Sequence, residues 1–174
     1  GATDSSRGRK ASARPRCDES HAAGNPISRA AARAGGNGLD RLNGGTGNDS
    51  IDGGGGHDWI SGSAGTDILT GGAGNDFFGF TSLVGEFDKI TDFSPINDAI
   101  ALQNAIFTSL SPGVLNSSAF HIGAQAHDAT DRIIYNEDTG GLYYDADGTG
   151  GASANQFSQL TAEINLTNAD FYVI

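Results

Sequence analysis

A nine-residue repeat runs from Gly35 to Gly79 and limits what this chain can fold into. Each block has glycine at positions 1 and 4, aspartate at position 6 and a large apolar residue at position 8. Repetition at a fixed short period predicts one small structural unit that stacks on its neighbours. The blocks are GGNGLDRLN (35–43), GGTGNDSID (44–52), GGGGHDWIS (53–61), GSAGTDILT (62–70) and GGAGNDFFG (71–79).

Each repeat position has a physical task. The glycines allow a sharp turn that directs carbonyl oxygens inward, and the aspartate adds a carboxylate where the turn ends. Positions 7 to 9 predict a minimal strand whose position 8 side chain points into a core. These core residues are Leu42, Ile51, Ile60, Leu69 and Phe78.

The oxygen-rich turns predict a cation site. Ca²⁺ takes six to eight oxygen ligands in irregular geometry, which two stacked turns supply and one turn does not. If each coil uses two repeats, Asp40, Asp58 and Asp76 line one edge and Asp49 and Asp67 line the other. Three candidate ions then lie between residues 40 and 58, 58 and 76, and 49 and 67.

This spacing resembles the RTX (repeats-in-toxin) calcium-binding family. The resemblance implies an all-β fold, a right-handed parallel β-roll of nonapeptide repeats with Ca²⁺ in its turns, followed by a strand-rich C-terminal cap. It also implies side-chain ligands at position 6 and carbonyl ligands near positions 1 to 4. Ser63, at position 2, is expected to be tolerated because it would contribute only a carbonyl. The implied ligands are Asp40, Asp49, Asp58, Asp67 and Asp76, with Gly36, Gly38, Gly45, Gly47, Gly54, Gly56, Gly65, Gly72 and Gly74.

The repeat array divides the chain into three parts. Residues 1–34 lack periodicity and are predicted to be a disordered linker, with a basic arm or a degenerate piece of the array as alternatives. Residues 35–80 are the predicted roll, and residues 81–174 the β-rich cap. In the cap, 133–135 and 142–144 predict a β-hairpin around a turn-rich segment, and 152–160 a short helix.

The segment FDKITDF (87–93), with Asp98 after it, resembles the exit from an RTX array, and this resemblance makes Asp92 a candidate ligand above Asp67. The segment DADGTGGASANQ (145–156) superficially matches an EF-hand loop. It has Gln156 in place of the glutamate at position 12, so a turn is favoured. The four histidines show no HExxH spacing. For His121 and His127 a transition-metal site is an alternative, but a structural role is favoured because isolated histidines in a cap are more often structural.

Charge excludes several partners. The 140 residues after position 34 contain 3 of the 10 basic and 18 of the 21 acidic residues, for a net charge of −15. Such a surface argues against nucleic acid and anionic lipid, and it favours neutralisation by cations. Cys17 is the only cysteine, so no intrachain disulfide forms. No apolar run approaches the roughly 18 residues of a membrane span.

The C-terminal region also resembles secreted RTX proteins. DRIIYNEDTGGLYYDADG (131–148) and the final DFYVI (170–174) imply an uncleaved signal that a type I secretion exporter recognises. The prediction is a secreted, extracellular calcium-binding module that belongs to a larger polypeptide with an upstream domain. No catalytic residues are predicted within this chain.

Three alternatives remain open from the sequence. The chain is compatible with the tail of a secreted hydrolase, such as a serralysin-like protease or an RTX lipase, whose catalytic domain lies upstream. It is also compatible with an adhesion or polysaccharide-binding module like those of alginate epimerases, although the roll offers only Arg41 and Trp59 for such a surface. The third alternative is a calcium-stiffened spacer.

Overall fold

The computed structural model describes residues 32–83 and 87–174, in which the chain winds as a parallel β-solenoid of about four coils. Apart from the strands at 68–70 and 73–74, which lie in the same sheet, successive solenoid strands alternate between two sheets, and the strands of adjacent coils pair in parallel. No helix in this part of the chain has the length and apolar character needed to cross a bilayer. The solenoid strands are β1 (Ala32–Asn37), β2 (Arg41–Thr46), β3 (Ser50–Gly56), β4 (Trp59–Ala64), β5 (Ile68–Thr70), β6 (Ala73–Gly74), β7 (Phe77–Phe80), β8 (Asp88–Ile90) and β9 (Ala99–Leu102).

The strand register confirms two repeats per coil. In one sheet Leu42 pairs with Ile60 and Ile60 with Phe78, an offset of 18 residues each time. In the other sheet Ile51 pairs with Leu69 at the same offset. Blocks one and three, and likewise two and four, therefore lie directly above one another. The predicted all-β class and parallel roll are confirmed.

The interior of the roll is a narrow ladder of apolar side chains. Leu42 is 6 % exposed, and the position 8 residues of the next four blocks are at most 1 % exposed. Their neighbours at position 7, such as Ile68 and Phe77, point outward and are partly exposed. The position 8 prediction is confirmed, and its physical reason is the two-residue side-chain period of a strand.

The solenoid extends beyond the repeats at both ends. β1 begins at Ala32, three residues before the predicted start of the roll, and pairs with β3. After the fifth block, β8 adds to β5 and β9 adds to β7, both in parallel. The coil that contains Ile90 and Ile100 therefore belongs to the roll rather than to the cap. The linker predicted for residues 1–34 lies almost wholly outside the described residues.

The cap consists of short strands and two turns of 3₁₀ helix. The predicted hairpin is confirmed, with Ile133 opposite Tyr144 and Tyr135 opposite Leu142. The helix predicted over 152–160 is wrong, because residues 155–159 form a strand that pairs with residues 141–144 and with β8. The elements are β10 (Gly113–Val114), a 3₁₀ helix (Ser117–Ala119), β11 (Phe120–Ile122), β12 (Ile133–Asn136), β13 (Gly141–Tyr144), β14 (Asn155–Gln159), a 3₁₀ helix (Asn168–Asp170) and β15 (Phe171–Val173).

The cap closes the last coil and shares its core. β14 pairs in parallel with β8, and β15 pairs in parallel with β9, so both sheets of the roll continue into the cap. Phe80 of the roll packs against Phe157 at a ring-centroid distance of 5.0 Å. Phe157 in turn contacts Phe107 at 5.3 Å. The cap thus covers the C-terminal end of the roll, and burial of these rings joins the two parts into one apolar core.

Candidate metal centre

The glycine-rich turns adopt the backbone conformation that their sequence predicts. All nine glycines expected to offer carbonyl ligands have φ between 92° and 145°, a region that L side chains rarely adopt. Ser63 occupies the equivalent position of the fourth block with φ 75°, and its hydroxyl donates a hydrogen bond to Asn43 Oδ1. The chain thus tolerates this substitution with its backbone in the same unusual region.

Successive turns approach so closely that only glycine fits between them. A Cβ atom built on Gly56 would overlap the carbonyl oxygen of Gly38 one coil away, and one built on Gly54 would overlap that of Gly36. At position 1, a Cβ on Gly53 would lie 2.5 Å from Gly71 O and 2.6 Å from Asp58 Oδ2. Carbonyl and carboxylate oxygens from neighbouring coils therefore converge where a side chain would otherwise stand.

The repeat aspartates form a ladder along each edge of the roll. Asp58 Oδ1 accepts a hydrogen bond from the Asp40 backbone N–H at 2.9 Å. Asp67 Oδ1 accepts one from Asp49 N–H at 2.7 Å, and Asp76 Oδ1 accepts one from Asp58 N–H at 2.9 Å. The structure thus brings together all three predicted aspartate pairs.

Two aspartates that the sequence analysis did not assign continue these ladders. Asp88 Oδ1 accepts a hydrogen bond from Asp67 N–H at 3.0 Å, and Asp98 Oδ1 accepts one from Asp76 N–H at 3.0 Å. A signal was present, since DKI and DAI repeat the aspartate–any–apolar triplet of positions 6 to 8. The roll therefore presents five stacked aspartate pairs rather than three.

Asp92 does not lie above Asp67, contrary to the prediction. Asp88 occupies that place, while Asp92 accepts hydrogen bonds from Gly71 N–H through Oδ1 (2.9 Å) and from Gly72 N–H through Oδ2 (2.8 Å). The insertion between β7 and β8 shifts the register, so the first acid of FDKITDF reaches the ladder. Asp92 instead binds the start of the fifth glycine turn.

The second carboxylate oxygens are buried without a hydrogen-bond donor. Oδ2 of Asp58, Asp67 and Asp76 has no partner among the described residues. In residues 32–83 and 87–174 these three carboxylates form no salt bridge with lysine or arginine. Burying an anionic oxygen with no compensating donor costs several kcal/mol. Carboxylates and carbonyls that converge in this way fit a hard divalent cation, and calcium prefers this donor set.

The electrostatics of the ladders agree with that assignment. Burial raises the pKa of Asp88 to about 7. The hydrogen bond from Asp67 N–H lowers this pKa, and the negative charge of Asp67 raises it. Burial also raises the pKa of Asp58, Asp67 and Asp98, with neighbouring carboxylates contributing. A row of buried acids that resists ionisation requires positive charge to stabilise its anionic form.

The EF-hand-like segment is a turn, as favoured from its sequence. Asp145 Oδ1 accepts hydrogen bonds from the backbone N–H groups of Asp147 (3.1 Å) and Gly148 (2.9 Å). Asp147 Oδ2 accepts one from Ala152 N–H at 3.2 Å. These local bonds hold the segment between β13 and β14, and its carboxylates serve the turn's own backbone.

Comparison with known proteins identifies the same repeats. The family model for the RTX calcium-binding nonapeptide repeat (4 copies) matches residues 34–69 and 43–78. No curated protein sequence matches the chain. The solution structure of the AlgE6R3 subunit from the Azotobacter vinelandii mannuronan C5-epimerase is similar in fold, with a TM-score of 0.52 and 22 % identity over 86 % of this chain and 82 % of that one. The chain is thus an RTX-type repeat protein, in which residues 34–78 carry RTX calcium-binding nonapeptide repeats that fold as a parallel β-roll.

Proposed function

We propose that the chain is a calcium-dependent folding module of a secreted protein. The observation that supports this proposal is the aspartate ladder, in which Oδ1 cross-links adjacent coils while Oδ2 of Asp58, Asp67 and Asp76 is buried without a donor. The roll needs a cation at each pair of turns to make its burial of carboxylates favourable.

Different residues of the repeat bind the ion and form the core. The position 6 aspartates and the carbonyls of the glycine turns would hold the ions, which supply positive charge and cross-link neighbouring coils. The single apolar rung of each strand is too narrow to offset backbone entropy by itself. Because the native coils bind the ion and the unfolded chain has no formed site, mass action shifts the equilibrium towards the folded state.

Circular dichroism during calcium titration tests this proposal. We expect a cooperative gain of β structure over the Kd range of about 10⁻⁴ to 10⁻³ M that is typical of extracellular calcium modules. Magnesium should be a poor substitute, because it demands near-ideal octahedral geometry and dehydrates reluctantly. A spectrum that is unchanged by calcium, or that responds equally to magnesium, would contradict the proposal.

The calcium-free state at two pH values examines the buried acids. In the calcium-free fold the pKa of Asp88 is about 7, above the ordinary value of 3.8, so the native state holds the extra proton between these values. Calcium-free stability should therefore fall as pH rises from about 4 to 7. In chelator, circular dichroism should show more β structure at about pH 5.5 than at pH 8, because the proton partly replaces the cation. Less β structure at pH 5.5 than at pH 8 would contradict this role of Asp88.

The secretion part of the proposal is supported by the family's calcium chemistry and by the resemblance of residues 170–174 to exporter-recognised C-termini. Low calcium in the bacterial cytosol would leave the chain unfolded for a type I exporter, and higher calcium outside would fold it. An export assay that compares the natural C-terminus with a chain lacking residues 170–174 addresses this step. Equal export of both chains would contradict recognition of residues 170–174 by the exporter. It would also leave the proposed upstream domain without this means of secretion.

A second candidate function, binding of a polysaccharide, has one observation in its favour. The outer face of the β2–β4–β7–β9–β15 sheet bears a row in which Arg41 lies 5.4 Å above the Trp59 ring, Trp59 stacks on Phe77 at 5.9 Å, and Phe77 contacts Tyr172 at 6.3 Å. Flat aromatic surfaces suit sugar rings. Glycan-array binding in calcium that is lost in Trp59→Ala would favour this candidate, and an unchanged array profile would exclude the row.

A further inference from the structure

We propose that the cap contains a second metal site, for a transition ion such as Zn²⁺, formed by His121, His127, Asp128 and Asp131. His121 is the central residue of β11, and the other three side chains lie in the loop that connects β11 to β12. Ligand atoms of His127, Asp128 and Asp131 lie within 4.8 Å of one another. This cluster stands apart from the glycine turns and plays no part in the roll's aspartate ladders.

His121 joins the cluster from the neighbouring strand. Its ring stacks on that of His127 at a centroid distance of 5.5 Å and an interplanar angle of 19°. Its Nδ1 lies 3.9 Å from Asp131 Oδ2, and His127 Nδ1 lies 3.9 Å from Asp128 Oδ2. These separations are too long for hydrogen bonds. They suit a shared ion, because two ligand atoms that each lie about 2.1 Å from one zinc are at most about 4.2 Å apart.

The loop backbone fixes both carboxylates. Asp131 is buried, and its Oδ2 accepts hydrogen bonds from His127 N–H (2.7 Å) and Asp128 N–H (3.0 Å). Asp128 Oδ1 accepts from the backbone N–H and the hydroxyl of Thr130, which leaves Oδ2 on the side of His127. These contacts supply the outer-shell support that ligating carboxylates ordinarily have.

The Arg132 side chain, which is adjacent to Asp131 in the sequence, leaves the cluster available. Arg132 donates to the carbonyl oxygens of Ala129 (2.9 Å) and Asp131 (2.8 Å), and it forms no salt bridge with either carboxylate. The His127 side chain is 75 % exposed and the His121 side chain 30 % exposed, so an aqueous ion reaches both rings. His127 is free to rotate and close the remaining distance.

The donor set selects a different ion class from the roll. Two imidazoles with two carboxylates suit zinc and its neighbours in the first transition row, whereas calcium prefers oxygen ligands alone. A metal here would tie β11, the last strand in its sheet, to the 123–132 loop. The chain would then use calcium to close the roll and a transition ion to secure the far edge of the cap.

Zinc titration of the full chain in saturating calcium tests the site. A competing chromogenic indicator gives the zinc Kd, and histidine ring ¹⁵N signals locate the ion. Every protein compared would carry Cys17→Ser, so that the single thiol does not compete. We expect one equivalent to bind with shifts at His121 and His127. His127→Ala and His121→Ala should each raise the Kd roughly tenfold or more, because even loss of outer-shell partners costs 10–100-fold.

His57→Ala is the matched control, because His57 lies in the roll and its Nδ1 accepts a hydrogen bond from Asn75 N–H. It should leave the zinc Kd unchanged. His127 is exposed, so its replacement leaves the fold intact, and circular dichroism in calcium verifies this for each variant. The proposal is overturned by absence of zinc binding in excess calcium, by equal Kd values for His127→Ala and His57→Ala, or by histidine signals that do not move.

Discussion

Replacing Asp67 with asparagine should abolish calcium binding on both sides of the fourth turn while sparing the calcium-free chain. Asp67 is fully buried and belongs to two aspartate pairs, because its Oδ1 accepts from Asp49 N–H and its own N–H donates to Asp88. Asparagine keeps the size and the Oδ1 acceptor but removes the charge. We expect two fewer bound ions and a loss of about 3–5 kcal/mol in the free energy of unfolding in calcium, the usual cost of removing one partner of a buried charge pair.

In chelator, the change in stability caused by Asp67→Asn should be zero or positive. Burial raises the pKa of Asp67, so its anionic form opposes folding when no cation is present. Asp67→Asn should therefore leave calcium-free stability unchanged or increased at neutral pH. Asp52→Asn is the control, since Asp52 is exposed at position 9 and outside the ladders. Equal calcium stoichiometry for the two variants, measured by titration calorimetry, would refute a calcium role for the ladder.

Gly56→Ala should destabilise the roll far more than Gly38→Ala, although both glycines occupy position 4. The φ angles are 134° and 127°, so each alanine would incur about 1–3 kcal/mol of backbone strain. A Cβ at Gly56 would also overlap the Gly38 carbonyl, whereas one at Gly38 meets nothing within 4 Å among residues 32–83 and 87–174. Overpacking adds about 1–3 kcal/mol at Gly56 only.

Urea unfolding in saturating calcium measures both variants against the natural chain. Both variants share the backbone strain. The difference between their free energies of unfolding therefore measures the cost of the close approach of adjacent coils. If the two variants lose the same stability, the coils are farther apart in solution than this stacking requires.

The sequence predicts the roll well where its period is strict. Glycine and aspartate recur every nine residues through Asp76. With two repeats per coil, this spacing predicts the paired turns, the inward position 8 residues and the stacking of Asp40 on Asp58. The next two ladder aspartates fall at intervals of 12 and 10 residues, and the periodic argument therefore stops before Asp88 and Asp98. Their role depends on loop lengths that only the folded chain defines.

The cap depends on long-range pairing that local patterns do not encode. The hairpin at 133–144 is local and is correctly predicted, because its strands flank a turn. The strand at 155–159 exists because β8 and β13 pair with its two edges, and the segment's own composition favours no strand. Likewise, Phe157 gives no sign in the sequence that it joins Phe80 and Phe107 across the core.

The position of β15 has a consequence for the order of events at the cell surface. Phe171 and Val173 are almost fully buried, and the strand lies between β9 and β10 with Ile174 N–H bonded to Leu102 O. The exporter and the folded sheet cannot bind residues 170–174 at the same time. Under the proposed function, pairing of this strand with β9 and β10 would therefore make export irreversible. The folded domain would no longer present residues 170–174 to the exporter.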